Sequence, residues 1–195
     1  VGGVGDVAGE LPVALQKQGV DIEIVIPFYR EKNDNENVSC KPLKKYRIPF
    51  HGKDEIIQFY KSEPRDFPVP VNFISNATYF EGKYGKPYIY SKEIPFFDDI
   101  LRFSFFSEAC LQLIKDKQPD IVHVNDWVLG YLFGRMAMAG LPQRRVLTIH
   151  NIGYQGNIGI ETIKGWYIEK ILADKKVGPL FLDPHQEWHS VNALR

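Results

Sequence analysis

A chain of 195 residues with 44% hydrophobic content is long enough for one well-packed domain, or for one domain and part of another. Its 24 Lys and Arg balance 24 Asp and Glu, which excludes a basic field recruiting nucleic acid and a charge-driven polyanion partner. Cys40 and Cys110 lie far apart without metal-ligand spacing, and no segment reads as a membrane span or a signal peptide. A soluble globular protein of a reducing compartment is expected.

The chain opens on "VGGVGDVAGELPVALQKQG". Apolar residues recur at Val7, Leu11, Ala14 and Leu15 with a helical period that Gly19 closes. "DIEIVIP" reads as a buried strand ending at Pro27, and residues 30–42 as an exposed polar loop. "KKYRIPF" and "EIIQFYK" alternate around "HGKD", which predicts a hairpin, and "VPVNFIS" adds a strand. From Asp98, "DDILRFSFFSEACLQLIKDK" has acids first, lysines last and Pro119 beyond, the signature of a long, largely buried helix. "DIVHVN", "DWVLGYLFGRMAMAG" and "RRVLTIH" then form a strand, a helix closed by Gly140 and a strand, a right-handed βαβ unit. The fold class expected is α/β: a Rossmann-like, mostly parallel sheet with a β-rich insertion between about residues 43 and 95. The stretch after "NIGYQG" shows no regular pattern, and no repeat or low-complexity tract occurs.

Open parallel sheets bind ligands beyond the carboxyl ends of their strands. That rule selects "HVNDW" and "TIHNIGYQG", so Asp126 and His150 are expected to face one crevice, with the opening glycines at the same edge. Gly2, Gly3 and Gly5 remove side chains where backbone N–H groups and a helix dipole could approach a phosphate. The same glycines could form only a tight turn. Gly3, Gly5 and Ala8 also satisfy a dinucleotide fingerprint, against which Asp21 and Glu23 stand at the start of the following strand rather than at its end. Asp126 reads equally as the N-cap of the next helix, and His150 as a hydrogen-bonded strand-end residue. His123, His150 and Asp126 match no metal-ligand spacing. Tyr79, Phe80, Tyr84, Tyr88 and Tyr90 form an aromatic run that suits a core or a sugar-stacking surface alike.

In order and spacing, "VGGVGDVAGELPVAL", "YFEGKYG", "DDILRFSFFSEACL", "DIVHVNDWVLGYL" and "VLTIHNIGYQG" resemble the catalytic N-terminal domain of glycogen and starch synthases, over essentially the whole chain. The resemblance implies a retaining glycosyltransferase of the two-Rossmann-domain (GT-B) type. Such an enzyme adds glucose from ADP-glucose or UDP-glucose to the non-reducing end of an α-1,4-glucan, without a metal ion or cofactor. Residues 1–195 then read as that domain, incomplete at both ends. The family's Lys-x-Gly-Gly lysine, its first strand and its nucleotide-binding C-terminal domain are expected outside the chain, and the fragment alone is expected to be inactive.

By the same resemblance, Gly2, Gly3 and Asp6 match the loop that closes on the donor, and His150 the active-site histidine that contacts the transferring glucose. Asp126 matches an essential acid, and Asn151, Tyr154 and Gln155 line the cleft. Asp98, Asp99, Arg102 and Phe103 match a Tyr-x-Asp-Asn-x-x-Arg-Phe element of acceptor-side structure. Here Phe96 or Phe97 stands near the tyrosine and Asp99 replaces the asparagine. The partners implied are the nucleotide sugar, the glucan and the C-terminal domain, with no nucleic acid and no membrane. The location implied is the cytoplasm, or the plastid in a plant. A non-catalytic glucan-binding module is the alternative from another class, and an NAD-dependent dehydrogenase domain is a further one.

Overall fold

The structure is a computed structural model and describes residues 2–30, 39–63, 67–81, 85, 97–153, 155–156, 158–159, 168–183 and 190–191. The chain divides into two compact units, Val1–Lys92 and Glu93–Arg195.

The first unit begins with helix α1, Gly2–Lys17. Its end is set locally: Gly19 takes φ +85°, Gly19 N–H donates to Gln16 O, and Val20 N–H donates to Leu15 O. A left-handed residue that turns the chain while satisfying the last carbonyls is the Schellman arrangement, which glycine enters without a Cβ penalty. The helix is already formed at the opening glycines. Gly3 and Gly5 lie within it and neither has a positive φ, so the tight-turn reading does not hold.

Strands β1 (Ile24–Pro27), β2 (Cys40–Phe50), β3 (Lys53–Ser62) and β4 (Val71–Ser75) form one sheet in the order β1-β4-β3-β2. The expected hairpin is β2–β3. Its two-residue turn, His51 and Gly52, has φ +50° and +74°, the doubly left-handed geometry whose twist matches the flanking strands. Two expectations are corrected here. The expected β-rich insertion narrows to the β2–β3 hairpin, because β4 runs parallel to β1 with Ile24 opposite Val71. Nor is β1 a buried strand: it lies at the end of this sheet, and Ile26 is 37% exposed. The core under the sheet is aromatic, with Phe28 packed at 4.9 Å on Phe73 and Phe50 edge-on to Tyr79. Tyr79 and Phe80 are buried, which places them in the core; Tyr84, Tyr88 and Tyr90 lie outside the described residues.

The second unit is built around α2 (Phe97–Lys117), β5 (Ile121–Asn125), α3 (Gly130–Met138) and β6 (Arg144–Thr148). β5 and β6 pair in parallel, Ile121 opposite Arg144 through Asn125 opposite Thr148, as the βαβ reading requires. The long helix is buried on most sides: Phe105 and Ala109 are fully enclosed, and Arg102 is sealed against Asp99 at 2.7 Å. Arg135 of α3 donates to Glu108 of α2 at 2.7 Å. Burial pushes the Glu108 carboxyl above its ordinary range, against the pull of Arg135. Gly140, at φ +64°, closes α3 as Gly19 closes α1, with Leu141 N–H on Met136 O. Helix α4 (Ile168–Ala173) and the turn after it pack Ile171, Val177 and Phe181 against Tyr131 and Ile100. Three two-residue strands, β7 (Ile158–Gly159), β8 (Leu182–Asp183) and β9 (Ser190–Val191), pair antiparallel in the order β7-β9-β8.

The expectation of a mostly parallel sheet is therefore corrected as well. Among the described residues only β1–β4 and β5–β6 are parallel strand pairs, while β2–β3, β3–β4, β7–β9 and β8–β9 are antiparallel. Short connections such as His51–Gly52 permit only antiparallel neighbours, whereas the parallel pair β5–β6 has a helix between its strands. Among the described residues no helix is long and apolar enough to cross a membrane.

Candidate functional site at the carboxyl ends of β5 and β6

Strands β5 and β6 end side by side, and the residues following them are tied together. Asp126 comes directly after β5 with φ +59° and ψ −178°. That combination is sterically reserved for glycine, and holding another residue in it costs about 1–3 kcal/mol. Surrounding bonds hold it in place. The Asp126 N–H donates to Thr148 O at 2.8 Å, and its carboxylate oxygen Oδ1 accepts the backbone N–H of His150 at 2.6 Å and of Asn151 at 3.3 Å. The helix-cap reading of Asp126 is overturned. It stands at the N-cap position of the 3-10 turn Trp127–Leu129, yet its side chain makes no cap bond and reaches across to the neighbouring strand end instead.

His150 is thereby fixed through its main chain, and its ring is fixed separately. Nε2 lies 2.9 Å from Asn125 Oδ1, on the last residue of β5. Beside this pair His123 Nε2 lies 2.7 Å from the Thr148 hydroxyl, so a short polar row crosses the two strands. Asn125 and Thr148 went unread in the sequence. The signal available was positional: Asn125 occupies the same strand end as Asp126 and, by strand alternation, the same face as His123.

The loop beyond His150 carries its own braces. Asn151 Oδ1 accepts Gly153 N–H at 2.9 Å, Gln155 Nε2 donates to Ile152 O at 2.9 Å, and the Tyr131 hydroxyl donates to Gly156 O at 3.3 Å. Burial raises the Tyr131 hydroxyl well above the ordinary tyrosine range, so it stays a donor. Ile152 projects into solvent at 66% exposure. The structure thus brings together Asp126, His150 and Asn151, with Gln155 bonded to Ile152 in the loop that follows; Tyr154 lies outside the described residues. Gly2, Gly3 and Asp6 lie in the first two turns of α1, in the other unit. Backbone N–H groups in a first helical turn have no intrahelical acceptor, and a Cβ placed on Gly3 or Gly5 would meet nothing within 4 Å. Asp99 and Arg102 are turned into the interior of the second unit as a buried ion pair. Among the described residues no three His, Cys, Asp or Glu side chains group as metal ligands would.

Residues 1–182 match the family model described as the starch synthase catalytic domain. The chain belongs to the starch synthase catalytic-domain family. Glycogen synthase of Clostridium botulinum (strain Alaska E43 / Type E3) is 34% identical over 166 residues, covering 80% of this chain and 32% of that protein. Glycogen synthase of Thermotoga maritima is 37% identical over 177 residues, covering 80% of this chain and 33% of that one. Among solved structures, the catalytic domain of starch synthase IV from Arabidopsis thaliana, bound to ADP and acarbose, matches with a TM-score of 0.76 and 28% identity. The match covers 100% of this chain and 39% of that one. This family member therefore spans about a third of the length of the curated relatives it matches.

Proposed function

We propose that this chain is the sugar-handling part of a glycogen or starch synthase of the GT-B type, which transfers glucose from ADP-glucose or UDP-glucose to the non-reducing end of an α-1,4-glucan with retention. The observation that carries the reading is the brace on His150: main chain held by Asp126, ring held by Asn125, at the strand edge where α/β sheets receive ligands. Family membership over residues 1–182 supports the substrate class.

Transfer from a nucleotide sugar develops positive charge at the anomeric carbon and negative charge on the departing diphosphate. Positioning and electrostatic stabilisation supply most of the rate. In this reading the first-turn amides at Gly2 and Gly3 face the diphosphate, Asp6 closes over the donor, and His150 hydrogen-bonds the glucose. Asn151, Tyr154 and Gln155 line the cleft, and Asp126 holds the His150 loop in register.

The test is incorporation of radiolabelled glucose into glycogen by the product of the complete reading frame, with α-glucosidase release showing the linkage. His150→Ala is expected to lower turnover by roughly one to three orders of magnitude while the unfolding midpoint moves little. The 195 residues alone are expected to transfer no glucose. Glucan binding without any transfer by the complete product would overturn the reading, and so would a large loss of melting temperature in His150→Ala with near-normal specific activity of the folded remainder.

A further inference from the structure

We propose that Asn125 is a positioning residue that sets which nitrogen of His150 faces the ligand. The inference rests on the functional reading above only for its catalytic consequence. A carboxamide oxygen can accept hydrogen bonds but cannot donate them. With Asn125 Oδ1 at 2.9 Å, Nε2 of His150 must carry the hydrogen, and in the neutral ring the unshared pair is left on Nδ1. The neighbouring hydroxyl that could compete for the ring, Thr148 Oγ1, is engaged by His123 at 2.7 Å. The main-chain end of His150 is held by Asp126 and its ring by Asn125, which among the described residues leaves the Nδ1 edge to meet a ligand.

This gives the interaction a polarity. Neutral His150 presents an acceptor at Nδ1, which suits the hydrogen of a sugar hydroxyl, and Asn125 supports that state without placing a negative charge beside the ring. A carboxylate at the same position would instead favour the protonated imidazolium. The preceding strand thus decides the chemistry of a residue 25 positions later, through one bond between the ends of paired strands.

The chain has five histidines, few enough to assign in a long-range proton–nitrogen NMR spectrum of histidine-labelled protein. At a pH of about 8.5, above the ordinary imidazole range, the parent chain is expected to show His150 as the Nε2–H tautomer. Asn125→Leu, which removes the acceptor at similar size, should lower the Nε2–H fraction toward that of a free imidazole and leave the His123 signals in place. Asn125→Asp, which keeps an acceptor but adds a negative charge, should keep the proton on Nε2 while favouring the imidazolium. An Nδ1–H tautomer in the parent, which requires no variant to fold, would overturn the proposal; so would an unchanged tautomer in Asn125→Leu. In the glucosyl-transfer assay of the complete product, Asn125→Leu is expected to lower kcat by roughly 100-fold with the KM for glycogen unchanged, and Asn125→Asp to recover part of that loss. Absence of transfer by the parent would sink the functional reading, while the tautomer still decides the role of Asn125.

Discussion

Asp126 Oδ1 accepts the backbone N–H of His150 at 2.6 Å, from a residue whose own backbone sits at φ +59° and ψ −178°. A side-chain bond and a strained main chain coexist at one position, and they separate by mutation. Asp126→Gly removes the carboxylate but relaxes the backbone; Asp126→Ala removes the carboxylate and keeps the strain. The glycine variant is therefore expected to be more stable than the alanine variant by about 1–3 kcal/mol, the reverse of the usual order within a helix. Asp126→Asn keeps an acceptor oxygen and should lie closest to the parent. Urea unfolding of the three variants measures the ranking, and an alanine variant as stable as the glycine variant would show that the backbone is not strained.

The glycines of α1 separate ligand effects from folding effects. A Cβ on Gly3 meets nothing within 4 Å and Gly3 has no positive φ, so Gly3→Val should leave the melting temperature within a few degrees of the parent, or raise it slightly, since valine is a better helix former than glycine. Under the proposed function the branched side chain holds the first-turn amides off the diphosphate. Removing one charge-assisted hydrogen bond costs roughly 1.5–3 kcal/mol, about one to two powers of ten in donor affinity. Saturation curves in nucleotide sugar and in glycogen check this: the first should shift and the second should not. A shift in the glycogen curve alone would make the loop an acceptor element.

Two other glycines are required by packing. A Cβ on Gly134 would press on the Phe181 ring at 2.8 Å and on Ile171 Cγ2 at 3.0 Å, whereas one on Gly178 would run into the backbone carbonyl of Leu172. Side chains can shift and a carbonyl held within the fold cannot do so cheaply. Gly134→Ala is expected to cost about 1–3 kcal/mol, as overpacking does, and Gly178→Ala more. Thermal unfolding of both variants gives the order.

Asp174 supplies a pH test. Its carboxylate accepts the backbone N–H groups of Val177 and Lys176, at 3.0 and 2.9 Å, and these bonds hold its pKa below the ordinary aspartate value. A folded pKa lower than the unfolded one means that the unfolded chain binds the proton more readily, so stability rises with pH across that interval. The contribution is complete above the unfolded value of about 4 and is lost as pH falls through the depressed folded value. The gap in melting temperature between the parent and Asp174→Ala should be widest near neutrality and close below about pH 4. A gap that stayed constant down to acid pH would mean that the carboxylate charge plays no part.

Local patterns sufficed for α1, α2 and α3 and for most of β1 to β6, but not for α4 or β7 to β9, which lie in the stretch that shows no regular pattern. The acids, lysines and Pro119 around α2 act within one or two turns, and the glycines at 19 and 140 are demanded by the left-handed residue that ends each helix. The hairpin at His51–Gly52 was legible for the same reason, as was the parallel pairing of β5 and β6 around α3. The resemblance carried by the motifs around Asp126 and His150 agrees with the family match over residues 1–182.

What the sequence could not contain was partner choice between distant segments. β4 joined to β1 rather than standing in an insertion depends on which sheet edge was open to it, and the exposure of Ile26 follows from β1 lying at the end of that sheet. The same holds at the site. Asp126 obeys every local rule for a helix cap, yet its backbone conformation aims the carboxylate at the amides beyond β6, and Asn125 acquires a role only because strand pairing brings His150 to it. Local propensity acts over a few residues, whereas these bonds join groups 24 and 25 positions apart that only parallel pairing sets side by side.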